Sequence, residues 1–403
     1  KQGFRGPIYM TEPSADLVEI MLRDAAKIQA EDLKYKQKRH KREGRTGPHP
    51  YELLYSESDV EQACELVKSV KFNDSIPVVD GLSAEWIDSG HILGAGSLDL
   101  RVGETDSSQP TPLRVVFSGD IGQWNKPLVG DPVRFQQADY LIMESTYGDR
   151  LHEDGGDIPS QLERVIKDTI RRGGKVVIPT FAVERAQELM YWFSQLAHQK
   201  RIPSIPVFLD SPMAIDVTNI FLRHEDWLDA EARRMIESGE PPLRFPGLRM
   251  SRTTKESMAI NNVRGPAVIL STSGMCNAGR IKHHLRQYIG DPKSTIVFVG
   301  FQSPGTLGRE ILDKRQEVRI HGQSFAVRAQ VEQIFGFSGH ADRDGLLHWI
   351  DDIFVPPRKT FIVHGEESSA LALAARIRER GWNVDVPAYQ QVVELDSGPQ
   401  RSP

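Results

Sequence analysis

The sequence has 403 residues, 39% of them hydrophobic and 26% charged, with a formal net charge of −5. That length and composition allow two or three packed domains and exclude a chain that is disordered throughout. The acidic balance excludes a globally basic nucleic-acid coat but leaves room for a local cationic surface. The two cysteines, Cys64 and Cys276, form no C-x-x-C pair, so neither a thiolate zinc knuckle nor a disulfide framework is expected, and the setting is expected to be reducing and cytoplasmic. No apolar run reaches the roughly 18 residues of a membrane span, and no membrane association is expected. The sequence opens at Lys1 in mid-pattern, so the beginning of the natural protein is expected upstream of it.

In chain order, Ser14 reads as the N-cap of a helix reaching about Glu31, with Leu17, Ile20, Met21 and Ala25 as its apolar stripe. The stretch Lys34–Arg45 is basic and reads as a solvated loop or helix end in preference to an RNA patch. Ser56–Val70 reads as a second helix. After Ile76, short apolar runs alternate with Gly, Asp and Ser, which predicts strands at Ala84–Ile87, Ser97–Val102, Leu113–Ser118 and Tyr140–Glu144. From Pro159 the rhythm changes. Helices over 160–172, 183–197, 278–289 and 306–313 are interleaved with strands Lys175–Ile178, Val207–Leu209, Ala267–Leu270 and Thr295–Val299. This βαβ alternation predicts a mostly parallel sheet. The expected domains are 1–148, an α/β unit over 149–337 inserted into it, a return of the first domain over 338–395, and a disordered tail, 396–403.

The residues able to do chemistry fall in turns at the ends of predicted strands, where open α/β sheets carry their ligand sites. They are His91 in Gly90–Gly96, Asp120 in Phe117–Gly122, Glu144 in Met143–Gly148, and the pair His340 and His364, in Phe337-Ser338-Gly339-His340-Ala341-Asp342 and Val363-His364-Gly365-Glu366. Singly each has a plain structural explanation. Asp120 can close an Asx-turn, Glu144 can be a solvated strand end, and His91 can sit in a simple hairpin. Together they are a histidine and carboxylate set without cysteine, the ligand chemistry of a catalytic zinc or of a two-metal hydrolytic centre.

The ordered motifs GHILGAG, FSGDIG, ESTYGDR, PTFAVERAQEL, SPMA, STSGMCNAGR, GFQSPGTLGR, FSGHADR and VHGE make the sequence resemble the β-CASP branch of the metallo-β-lactamase fold. That branch includes ribonuclease J and the endonuclease subunit of the cleavage and polyadenylation machinery, and the resemblance is greatest to the bacterial and archaeal single-chain members. It implies an αββα sandwich with an inserted β-CASP α/β domain on a mostly parallel sheet. It also implies a zinc-dependent ribonuclease that cleaves single-stranded RNA through a metal-bridged hydroxide. Position by position, it makes His91 a ligand of one zinc, Asp120 the bridging carboxylate, and His364 a ligand of the second. His340, oriented by Glu144, becomes the general acid, and Ser338, Ser273 and Gly274 become phosphate-binding positions. A homodimer is a candidate assembly. The family's HxHxDH motif is not found in the sequence and would fall just before Lys1. The natural protein is therefore expected to carry it and to hold two zinc ions, whereas this chain alone is expected to hold none or an incomplete set. Two competing readings are a non-catalytic RNA-binding scaffold and a small-molecule metallohydrolase of the wider fold.

Overall fold

The computed structural model describes residues 3–47, 51–103, 112–153 and 156–395; the expected tail lies outside the described residues. A seven-stranded sheet runs, from one edge to the other, through Val384–Asp385, Lys359–Ile362, Tyr140–Met143, Leu113–Phe117, Gly96–Val102, Leu82–Asp88 and Ser75–Val79. The first four strands are mutually parallel, and the remaining steps are antiparallel. Leu82–Asp88 and Leu113–Phe117 are each antiparallel to the strand between them, so they point the same way. Five strands therefore end on one rim, and His91, Asp120, Glu144 and His364 lie just beyond the ends of four of them. Topology alone gathers residues that are far apart in sequence.

Side-chain alternation along these strands divides their two faces. Val116, Leu141 and Ile362 face the helices Arg343–Trp349 and Glu367–Glu379 and pack with Leu346, Trp349, Leu373 and Ile377. Val115, Tyr140 and Phe361 face the other way, in a cluster joined by Val393. Each fully buried aliphatic side chain contributes about 1.5–3 kcal/mol to holding the rim in place.

The second sheet has six strands in the order Leu248–Met250, Val207–Asp210, Ala267–Ser271, Lys175–Pro179, Thr295–Phe298 and Gln330–Gln333, all parallel. Its central strands are uninterrupted apolar runs because both faces are covered. Val176, Ile178, Val268 and Leu270 pack against the helices Ile158–Arg172 and Arg185–His198. Val177, Ile269 and Ile296 pack on the opposite side with Leu285 and Ile311.

Three local expectations are corrected. The first helix runs from Glu12 to Arg42, not from Ser14 to Glu31. Its cap is Thr11, whose hydroxyl accepts a bond from the Ser14 N–H at 3.4 Å, and Pro13 sits in the first turn, where a missing N–H costs nothing. The basic stretch is thus helical for most of its length. The second helix covers only Glu57–Cys64; Val67–Val70 is a strand, paired in parallel with Ile8–Thr11. The hairpin Glu317–Ile320/Gln323–Ala326 and the strands Ser75–Val79 and Gln330–Gln333 add to the elements expected from the sequence. Among the described residues no helix is long and apolar enough to cross a membrane.

Candidate active site

Main-chain hydrogen bonds stitch the rim loops together. The Gly122 N–H donates to the Ser89 carbonyl at 2.8 Å, the Gln123 N–H to Gly339 at 3.1 Å and the Ala341 N–H to Ile121 at 2.8 Å. The Ser145 N–H donates to the His364 carbonyl at 3.1 Å, and its hydroxyl to Val363 at 2.8 Å. Glycine is required at position 122, where a Cβ would lie 1.8 Å from the Gly90 carbonyl oxygen. His364 has φ 48°, a left-handed conformation that costs a non-glycine residue about 1–3 kcal/mol and is retained where the surroundings impose it, commonly at functional sites.

Glu144 is 1% exposed, and its carboxylate is fully engaged. One oxygen accepts from the Ile121 N–H at 2.6 Å and lies 3.1 Å from His340 Nδ1; the other accepts from the Thr146 N–H at 3.2 Å. Burial alone would raise this carboxyl, but the bonds from His340, Thr146 and Ile121 hold it below its usual range. Burial opposes charge on His340 as well, yet its bond to Glu144 raises the imidazole above its ordinary value. The pair is an imidazole oriented by a buried carboxylate that favours its protonated form, an arrangement with the chemistry a general acid needs.

The second group is organised differently. His91 Nδ1 lies 3.1 Å from the Gly339 carbonyl oxygen. A carbonyl only accepts, so Nδ1 carries the proton and Nε2 presents a bare lone pair. That Nε2 lies 3.7 Å from Asp120 Oδ2, while His364 Nδ1 lies 3.2 Å from Asp120 Oδ1. Burial, with His340 close by, pushes the His91 imidazole below its ordinary value and favours its neutral form. The His91 lone pair and a His364 ring nitrogen on either side of one carboxylate, with the outer nitrogen of His91 fixed by a backbone carbonyl, make a donor set that suits a divalent cation. Donor atoms of His91, Asp120 and His340 also lie within 4.8 Å of one another. His340 could thus ligate as a neutral base, but a protonated imidazole has no lone pair to offer, and the Glu144 bond favours protonation.

Two cavities, of 470 and 560 Å³, meet at Gly339 and His340 and share Phe181 and Arg185 of the second sheet's domain. Ser338 lines the smaller cavity, its hydroxyl donating to the His340 carbonyl at 3.2 Å. Ser273 and Gly274 do not line it, whereas Met275 does. The Ser273 N–H and hydroxyl both turn onto the Ala278 carbonyl, and a Cβ at Gly274 would meet the Phe181 ring at 2.8 Å. A charge cluster beside the site receives no role from the sequence, although the motif PTFAVERAQEL contains three of its members. Lys126 bonds the Glu188 carboxylate and the Gly336 carbonyl. Arg185 lies 3.8 Å from Glu188, and Glu184 accepts from the Leu93 N–H at 3.3 Å. Burial pushes Glu184 up to about 8, with Glu188 adding to the effect, so it is mostly protonated at neutral pH. The available signal is Glu184, Arg185 and Glu188 within an otherwise apolar helical run.

Comparison with known proteins gives the family. Residues 186–311 match the Beta-Casp domain, and residues 324–387, which include His340 and His364, match the Zn-dependent metallo-hydrolase RNA specificity domain. The chain is 35% identical over 395 residues to a ribonuclease of Thermus thermophilus, covering 98% of this chain and 83% of that protein. It is 28% identical over 373 residues to an RNase J-like protein of Methanocaldococcus jannaschii, covering 92% of this chain and 79% of the other. A transcription termination factor of the same archaeon is 31% identical over 387 residues, and there the match spans 94% of this chain but only 57% of the relative. The family is one of zinc-dependent hydrolases, in keeping with the donor set at Asp120. The chain belongs to the β-CASP family of metallo-β-lactamase-fold nucleases.

Proposed function

We propose that the chain is the catalytic body of a zinc-dependent ribonuclease that hydrolyses phosphodiester bonds of single-stranded RNA. The observation that carries this reading is the His340–Glu144 pair, at 3.1 Å, set beside a carboxylate flanked by His91 and His364. An acid thus stands next to a cation-binding group at the junction of two cavities. In this proposal His91, Asp120 and His364 would hold the zinc, two ions being the number the family resemblance implies. Bound zinc supplies an activated water and neutralises charge on the phosphate. His340 protonates the departing 3′ oxygen as the P–O3′ bond breaks, leaving a 3′-hydroxyl and a 5′-phosphate. Glu144 positions His340 and keeps it charged. Ser338 is proposed to bind a phosphate, since it lines the cavity beside His340. A single strand suits a narrow cleft with exposed aromatic rings, and Phe181 and Phe301, 43% and 57% exposed, stand at its wall. A cytoplasmic setting belongs to the same proposal, in keeping with two free cysteines.

The test is cleavage of a 5′-labelled single-stranded RNA by the protein supplied with zinc, set against a β-lactam and a thioester substrate. RNA cleavage that is lost in His340→Ala supports the proposal. Hydrolysis of a small substrate with intact RNA contradicts it, and so does RNA binding without hydrolysis of any substrate.

A further inference from the structure

The first helix does more than pack. Pro13, Leu17 and Ala26 are its only buried residues, so beyond Ala26 no side chain of this helix is buried. From there to Arg42 it runs for about 24 Å at roughly 1.5 Å per residue, touched on one side by the returning segment, where the Tyr51 hydroxyl lies 2.6 Å from His40 Nδ1. Met21, Ile28 and Tyr35 are 48%, 52% and 65% exposed. They recur at every seventh position, which keeps them on one stripe with a drift of only about 20° per repeat, and Arg42 is the next member. The stripe begins at the catalytic cleft, because Met21 lines the larger cavity together with His91 and His340.

Around its outer end stand six cations, Lys34, Lys36, Lys38, Arg39, Lys41 and Arg42, with no carboxylate between Lys34 and Arg42. Arg39 pairs with Glu43 at 3.0 Å; among the described residues the other five have no ion-pair partner. The chain as a whole is acidic, so this is a local reversal of charge. A second copy of the helix is a poor occupant, since like charges would oppose each other. A membrane surface is disfavoured because residues 27–42 carry too few apolar side chains for an inserted face.

We infer that this helix is an RNA-tracking arm. Single-stranded RNA entering or leaving the cavity at Met21 lies along the stripe, its bases against Ile28 and Tyr35 and its phosphates against Lys34, Lys36, Lys38, Lys41 and Arg42. The arm meets phosphates and base faces only, so it is blind to sequence. It serves substrate length, not chemistry. The inference rests on the ribonuclease reading for the identity of the substrate.

The test compares the native chain with a variant carrying Lys34→Gln, Lys36→Gln, Lys38→Gln and Lys41→Gln. Glutamine keeps helix propensity while removing charge. Binding of a fluorescein-labelled 20-nucleotide single strand is measured by anisotropy across a salt series with a chelator present, so that no cleavage is required. The expected result is affinity about tenfold weaker or more, and a log–log salt dependence shallower by roughly two to three, since each phosphate that a lysine no longer neutralises lowers the slope by about 0.7. Cleavage of a trinucleotide, too short to reach the arm, stays unchanged. Equal affinity and equal salt slope overturn the inference. Unchanged RNA affinity with lost binding to polyglutamate or to anionic vesicles overturns it in favour of those partners. A native chain that binds RNA through the helix but cleaves neither substrate sinks the ribonuclease reading and leaves the arm standing.

Discussion

The two halves of the site are built on opposite principles. On one side, Glu144 and His340 complete each other: the carboxylate is buried, both its oxygens accept hydrogen bonds, and it fixes the imidazole. On the other side, His91 Nε2 and His364 Nδ1 crowd the exposed carboxylate of Asp120, and His91 is held as a lone-pair donor by the Gly339 carbonyl. The first half is finished by the protein's own hydrogen bonds. The second, on the proposed reading, would be completed by a bound cation. An acid must keep its proton in a fixed place, whereas ligands must keep their lone pairs free; the proposed function assigns these two demands to the two halves of one rim.

The comparison can be broken most severely at Asp120. Asp120→Ala removes the carboxylate shared by both histidines and is expected to lower RNA cleavage by about 10³–10⁵-fold, with zinc lost from the protein. His340→Ala removes only the proton donor, and a loss of about 10²–10⁴-fold is expected, with zinc retained. Glu144→Gln keeps the shape but removes the charge and one of the two acceptor oxygens, leaving one carbonyl oxygen for the Ile121, His340 and Thr146 donors, and a loss of about tenfold or more is expected. Its pH profile is more telling than its rate. His340 is raised above its ordinary value by Glu144, so the protonated form is full at low pH and activity falls as pH rises through the raised value. Without the carboxylate charge that alkaline limb moves to lower pH, and an unmoved limb would deny the pairing. Lys126→Met leaves the 1%-exposed Glu188 with only the more distant Arg185, at 3.8 Å, and is expected to cost about 1–3 kcal/mol of stability by thermal or denaturant unfolding, with zinc content unchanged. Ser273→Ala is expected to change cleavage by less than about twofold, because its donors already serve Ala278.

What can be read in the sequence follows from the same contrast. The strand-end turns around His91, Asp120, Glu144, His340 and His364 are legible because turn chemistry and apolar strand runs are local signals. The parallel second sheet is legible for the same reason, from its βαβ rhythm. Val67–Val70 reads as helix in isolation because what makes it a strand is a partner at Ile8–Thr11, outside any local window. The first helix reads too short because its outer half carries only a sparse seventh-position stripe, Ile28 and Tyr35, without the i, i+3, i+4 spacing that packing writes into a sequence. The Lys126, Glu184, Arg185 and Glu188 cluster is invisible as a cluster, since Lys126 meets the others only across the junction of the two sheets. Likewise residue type alone suggests that Ser273 reaches outward, and only its bonds to Ala278 reveal that those donors are used.

One measurement bears on the division of labour more directly than any rate: bound zinc per chain, determined by elemental analysis after equilibration with zinc and removal of the free ion, for the native protein, Asp120→Ala and His340→Ala. The account predicts that Asp120→Ala loses the metal the native protein holds while His340→Ala keeps it. Equal loss in both variants would contradict the account, because His340 would then be a ligand and not the acid.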